Sequence, residues 1–397
     1  MTLIESRRIV EAIPVIDMDT HLIEPPDLWT SRMSKKWGDR VPHLRVDESS
    51  GDEWWYSGNT KALPIGAVGF AGFDGHRPGY PKRFVDIDPA AWDAKKRLEL
   101  MDRYGIAAQV IFSNLTLFSH QAFADEGADP EFVSELIRCY NDYQSEWTSI
   151  APDRLVPLTQ LPFFDLEASI TEMERCAQMG HRGIVFTQEP GTFGLPPLRH
   201  RHWDRLWAAA QDMELSVNFH IGTALDEEFN KENTGKWDDR HDPTRDVTDS
   251  IVHFFNNFVT ISELITGGIC HRFPRLNFVS VESGIGWIPF ALESLDWQWK
   301  HYDFGDKYDL LPSEYFRRQI YCSFWFEKSS ALHALQQLGP DNVMWETDFP
   351  HPTSMSPGGP SPALPPDRYI EANFRELPET TLRKVFHDNA ARLYGLP

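Results

Sequence analysis

The stretch VIDMDTHLIEPP, residues 15–26, puts Asp17, Asp19 and His21 at alternate positions, with Glu24 three residues further on and a Pro-Pro pair behind it. Side chains alternate across a strand, so the two acids and the imidazole are expected on one face. Three other apolar runs end on the same kind of group: VNFHIG at His220, VSVESG at Glu282 and MWETDFPH at Asp348. Carboxylates and imidazoles that converge from several strand ends are costly to bury without a cation among them. The chemistry implied is a metal site assembled from several strands. His351, three residues beyond Asp348, stands where it could support a ligand or face a substrate.

The elements that must position these groups can be read from the apolar runs. Eight of them, at 13–19, 107–113, 154–161, 182–188, 215–220, 276–282, 319–325 and 342–348, read as strands. Amphipathic stretches such as 89–105 and 165–180, each stopping at a Gly, read as the helices between them. Strand–helix alternation implies parallel pairing, and eight units predict a (β/α)8 TIM barrel built as one domain over 1–397. A doubly wound open sheet is the weaker alternative, since no G-x-G-x-x-G follows the first run. Three long insertions, 34–88, 223–249 and 350–367, all follow a strand's C-terminal end, where barrels build their active sites.

Composition narrows the function classes. The 397 residues are 41% hydrophobic and 24% charged, with a net charge of −21. That balance disfavours nucleic acid and anionic membranes as partners. No apolar stretch approaches the roughly 20 residues of a membrane span, and MTLIESRRIVEAIPVID lacks a secretory apolar region, so a cytoplasmic protein is expected. Cys139, Cys176, Cys270 and Cys322 form no C-x-x-C pair and read as reduced, buried thiols.

The strand-one motif, NFHIG, FPRLNFVSVESGIGWIP and WETDFPH together resemble the amidohydrolase superfamily from residue 13 to the C-terminus. Within it they resemble the branch of metal-dependent decarboxylases of aromatic and muconate-type acids. The resemblance implies a barrel with its metal at the C-terminal mouth and Asp19, His21, His220 and Asp348 as ligands. Asp17 falls where the family keeps a buried carboxylate behind the metal. Two positions depart from the pattern. Glu282 stands where the decarboxylases carry a histidine, and Glu24 is additional.

With those two residues the candidate ligands are Asp19, His21, Glu24, His220, Glu282 and Asp348, and Glu282 and His351 are the candidate catalytic groups. Such a carboxylate-rich shell suits iron or manganese and holds enough oxygen for two ions, with a single zinc as the alternative. Strand four ends IVFTQEPG and offers no lysine as a bridging ligand, so a glutamate would have to bridge. This pattern resembles amidohydrolase-fold dinuclear Fe/Mn oxygenases such as the 2-aminoisobutyrate-type hydroxylases. Three functions stay open. The leading one is a dinuclear O2-dependent monooxygenase of a small substrate, using an external reductant. The others are a redox-neutral decarboxylase or hydrolase of a small carboxylic acid, and a supporting subunit of a larger enzyme. A homo- or hetero-oligomer is expected from apolar insertions such as DEWWYSGN. His181, His200, His202 and His271 read as structural. Trp54, Trp55, Trp237, Trp287, Trp345 and Phe349 are expected in the core or along the pocket. Arg77, Lys82 and Arg83 could meet a substrate carboxylate or stay solvated.

Overall fold

All eight apolar runs form strands in the computed structural model, which describes residues 13–115, 129–223, 243–352, 354 and 364–397. They are β1 Val15–Leu22, β2 Ile106–Ser113, β3 in two pieces (Leu155–Pro157 and Thr159–Gln160), β4 Gly183–Val185, β5 Ser216–His220, β6 Phe278–Val281, β7 Ile320–Phe324 and β8 Val343–Trp345. Each pairs in parallel with the next, β3 joining β2 through its first piece and β4 through its second. The ring closes between β8 and β1 through a parallel bridge from Thr20 to Phe349. There Asp348 N–H donates to Asp19 O at 3.0 Å and His21 N–H donates to Phe349 O at 2.6 Å. One strand end thus delivers Asp19 and His21 directly beside Asp348.

Helices follow the strands in turn: α1 Ala94–Tyr104, α2 Pro130–Thr148, α3 Leu166–Gln178, α4 Asp204–Asp212, α5 Pro243–Thr266, α6 Ile288–Trp299, α7 Ser329–Leu338 and α8 Pro366–Asn373. Local chemistry sets their ends. The Asp93 carboxylate accepts from Lys95 N and Lys96 N, so α1 starts at Ala94 rather than at Pro89, which opens a separate 3-10 turn. Gly105, at φ 68°, takes the left-handed conformation that stops it. Ile16, Met18, Val110, Val279 and Met344 pack together within the ring of strands. A larger cluster including Trp203, Trp207, Phe219 and Phe278 fills the layer between strands and helices.

The expectation of one ionisable face on β1 needs correction. In the pairing with β2, Asp17 sits opposite Gln109 but Thr20 sits opposite Ile111, so β1 carries one extra residue between them. A bulge of this kind breaks the alternation. Asp17 accepts from Gln109 Nε2 at 2.9 Å, and Thr20 meets Arg97 of α1 at 3.3 Å, which places both on the helix side. Asp19 and His21 face the opposite way, toward His220.

The insertion at 34–88 contains an antiparallel sheet of His43–Val46, Glu53–Ser57 and Thr60–Pro64. Its Trp55 is buried and meets Trp29 edge to face. Phe70 N–H and Ala71 N–H both donate to Pro350 O, pinning the insertion to the exit of β8. The polar segment read as 223–249 is shorter than expected, because α5 already begins at Pro243. Residues 224–242, Trp237 among them, and 353 and 355–363 of the segment 350–367 lie outside the described residues.

His181 illustrates what burial does to a polar group remote from the strand ends. Its ring is buried between Ser145 Oγ at 2.8 Å and Thr159 Oγ1 at 3.1 Å. Burial, opposed in part by the charge of Glu172, holds its pKa down to about 3 against an ordinary 6.5. The unfolded chain therefore binds more protons than the folded one between those values, so the contribution to stability is full above pH 6.5 and lost as the pH falls toward 3. Urea unfolding of His181→Gln is expected to lose less stability between pH 7 and pH 5 than the native protein does. Identical losses would mean that the imidazole titrates in the fold as it does in water.

Candidate metal centre

β1, β5, β6 and β8 all present their last side chains to one point at the barrel's C-terminal end. Glu282 and Asp348 do so from backbones at φ 55° and 58°. The left-handed conformation costs a non-glycine residue about 1–2 kcal/mol, which marks these turns as shaped for a task other than stability.

The two imidazoles are set by backbone carbonyls. His21 Nδ1 donates to Ser113 O at 2.9 Å and His220 Nδ1 donates to Ile221 O at 2.7 Å. A carbonyl can only accept, so each Nδ1 carries a proton and each Nε2 is the atom turned toward the acids, open to a metal or to a second proton. Those two Nε2 atoms are 3.1 Å apart. Around them stand Asp19 Oδ2 and Glu282 Oε2, both 3.4 Å from His220 Nε2, and Asp348 Oδ1, 3.7 Å from His21 Nε2. Neither oxygen of Asp19 and neither oxygen of Asp348 receives a hydrogen bond, although both residues are fully buried. Buried carboxylates and imidazole Nε2 atoms thus crowd one point, an arrangement that a cation fits.

His351 completes the arrangement. Its Nε2 meets Asn114 Oδ1 at 2.7 Å, while Asn114 Nδ2 donates to Leu22 O. The amide orientation makes His351 Nε2 the donor and turns the Nδ1 lone pair toward Asp348 Oδ1, only 2.7 Å away. The ring also stacks on His21 at 3.8 Å.

Three overlapping groups could each hold an ion: Asp19, His21 and His220; His21, Asp348 and His351; Asp19, Glu282 and Asp348. Five of the six expected ligands are therefore brought together, and His351 joins them. Glu24 is not among these groups. It is buried, and its Oε1 accepts from Asn114 N and Leu115 N at 2.9 Å each, tying β1 to the exit of β2. Those donors come from a distant part of the chain, which the spacing around Glu24 could not reveal.

The electrostatics show more negative charge than the protein itself neutralises. Burial raises Glu282 to about 7, His220 opposing and Asp19 reinforcing the shift. Burial and then the charges of Glu282 and Asp19 push Asp348 well above the carboxylate range. Burial alone would lower His220, but Asp19 and then Glu282 raise it to about 9. His21 is held well below its ordinary value by burial and by His351 and His220, and His351 by burial, His220 and Arg77. A proton and a divalent cation would compete for the same lone pairs here. Glu346, two residues before Asp348 in WETD, was not singled out in the sequence. It is fully buried, and burial followed by the charge of Asp19 pushes its pKa well above the carboxylate range.

His181, His200, His202 and His271 stay apart from this centre, as expected, whereas His253 of α5 lines the cavity above it and its charge acts on Glu282. His271 meets Asp309 at 3.2 Å and Tyr315 at 3.0 Å, and His200 caps the turn at His202 N. Above the centre lies a cavity of about 920 Å³ whose lining includes Glu282, Asp348 and His351.

The fold and this geometry agree with what comparison finds. The family described as Amidohydrolase matches residues 16–396, and the chain belongs to it. It is an enzyme of that family, with metal-dependent chemistry. It is 22% identical over 325 residues to 2-amino-3-carboxymuconate-6-semialdehyde decarboxylase of Dictyostelium discoideum, covering 79% of this chain and 80% of that one. The solved structure of an amidohydrolase from Mycobacterium avium subsp. paratuberculosis superposes with a TM-score of 0.78 at 20% identity, covering 96% of this chain and 99% of that one. 5-Carboxyvanillate decarboxylase from Novosphingobium aromaticivorans, solved with bound manganese, gives 0.65 at 16% identity over 97% and 98% of the two chains. These likenesses in structure show the barrel fold. Among the described residues no helix is long and apolar enough to cross a membrane.

Proposed function

We propose that the chain is a metal-dependent decarboxylase of carboxylic acids, its divalent ion held by Asp19, His21, His220 and Asp348 with Glu282 and His351 at the edge of the site. The observation that carries this reading is the cluster of buried carboxylates and imidazole Nε2 atoms, opening onto a cavity at the barrel mouth. The names of the relatives, decarboxylases of small acids, support it over the oxygenase. When bound, the cation supplies positive charge that anchors and polarises the substrate carboxylate. The chain's own groups do the rest. Loss of CO2 breaks the bond between the carboxylate and its carbon and leaves the electron pair on that carbon. Glu282, in the cavity lining beside His220, is placed to deliver the proton that replaces CO2. Asn114 and the Ser113 and Ile221 carbonyls fix the rings of His351, His21 and His220 throughout.

A dinuclear O2-dependent hydroxylase is the second reading, because the three groups share Asp19, His21 and Asp348 and so offer donors for two ions. The two separate in one experiment. Manganese-loaded protein is expected to release CO2 from a panel of aromatic and unsaturated acids under argon, to stop on chelation and to recover with manganese. Oxygen uptake tied to iron, with no CO2 released, would replace the decarboxylase with the hydroxylase.

A further inference from the structure

The cavity is larger and more apolar than a site for a single-ring acid requires. Its volume of about 920 Å³ lies near the top of the roughly 300–1,000 Å³ that small-molecule sites span. Away from the metal-facing floor the lining is chiefly apolar, and one wall is an aromatic corner. There Phe254 meets Trp325 edge to face at 5.8 Å and stacks on Phe326 at 5.6 Å, while Trp325 and Phe326 meet at 4.7 Å. Phe326 is 51% exposed and Ile251, also in the lining, 51%. A one-ring ligand bound at the floor would leave this wall against water, whereas a larger apolar body would cover it at about 25 cal/mol for each Å² removed from water.

Charge at the cavity points to the other end of the ligand. Of the three cations singled out in the first insertion, Lys82 pairs with Asp52 at 2.9 Å and Arg83 with Asp86 at 3.0 Å. Arg77 has no such pairing among the described residues, lines the cavity and lies close enough to His351 for its charge to act there. A guanidinium facing an apolar cavity is suited to a planar carboxylate.

We infer that the substrate is an acid whose carbon skeleton exceeds one ring, of the size of two fused rings or more, with its body against Phe254, Trp325 and Phe326 and its carboxylate at the metal-facing floor near His351, where Arg77 recognises it alongside the ion. This rests on the cavity over Asp348 being the reaction site. Calorimetry of the manganese-loaded enzyme with 1-hydroxy-2-naphthoate, the single-ring 2-hydroxybenzoate and the carboxamide of the naphthoate tests it. The naphthoate is expected to bind at least about tenfold more tightly than the single-ring acid. Arg77→Gln is expected to weaken the naphthoate about tenfold and leave the carboxamide unchanged. Phe326→Ala, at a half-exposed ring, is expected to weaken the naphthoate and not the single-ring acid. Equal affinity for the two acids, binding of neither, or indifference to Arg77→Gln would overturn the inference. Tight binding of the naphthoate without CO2 release from any acid would instead remove the decarboxylase and leave the substrate class standing.

Discussion

Asp348→Asn is expected to cut bound manganese to less than a tenth and turnover by about 10³-fold or more, equivalent to about 4 kcal/mol of transition-state stabilisation, with the fold retained. The carboxylate is fully buried and takes no hydrogen bond on either oxygen, so its charge has no structural task that an amide would fail to meet. The barrel's closing contact at this position, from Asp348 N–H to Asp19 O, uses the backbone and survives the change. What disappears is the one group within reach of His21, His351 and Glu282 alike, since Asp348 belongs to two of the three candidate ion groups. The amide would also put a donor among lone pairs, competing with a cation for His21 Nε2 or His351 Nδ1. Elemental analysis, kcat/KM and thermal unfolding measured on one preparation decide the matter. Native metal content in Asp348→Asn would remove this residue from the ligand set. The matched control is Glu24→Gln: its carboxylate serves Asn114 N and Leu115 N, so metal content should hold while stability falls.

The contrast between these two acids shows what the sequence carried and what it did not. Strand positions were legible because buried parallel strands are near-continuous apolar runs, and a polar group at the end of such a run stands out. That is why Asp19, His21, His220, Glu282 and Asp348 could be gathered from four separate stretches. The bulge in β1 was not legible, since D-x-D-x-H has the same alternating pattern whether or not an extra residue interrupts the pairing. Asp17 and Asp19 look equivalent in the sequence and face opposite sides in the fold. Glu24 read as a ligand because it adds a carboxylate to the acid-and-histidine motif of β1, and in the fold its Oε1 accepts from backbone amides about 90 residues away. His351 read as a group that supports a ligand or faces a substrate, and only the Asn114 amide, from the end of another strand, shows which nitrogen carries the proton. Each of these points turns on a contact whose second member is remote in the chain.

Arg97→Met should be the most destabilising single change outside the metal centre, lowering unfolding free energy by about 3–5 kcal/mol, the usual result of removing one partner from a buried charged network. Arg97 lies on α1 and is fully buried. It donates to Ala90 O at 2.6 Å, His21 O at 2.7 Å, Gln109 Oε1 at 3.1 Å and Thr20 Oγ1 at 3.3 Å. Gln109 in turn donates to Asp17, which also accepts from Thr347 N at 2.8 Å and Thr347 Oγ1 at 2.6 Å. One hydrogen-bonded chain therefore joins α1, β2, β1 and the exit of β8 at the seam where the barrel closes. Methionine would fill most of the volume but leave the Ala90 and His21 carbonyls without their buried donor. It would also remove the positive charge that interacts with Asp17, a carboxyl already raised by burial to about 7. Adding Asp17→Asn removes that stranded charge, so the double variant should recover about 1–3 kcal/mol relative to the sum of the single changes. Denaturant midpoints of the three variants measure this coupling. Additive losses would show that Arg97 acts through packing alone, whereas a positive coupling establishes that the charge on α1 is what allows an acid to be buried behind Asp19 and His21.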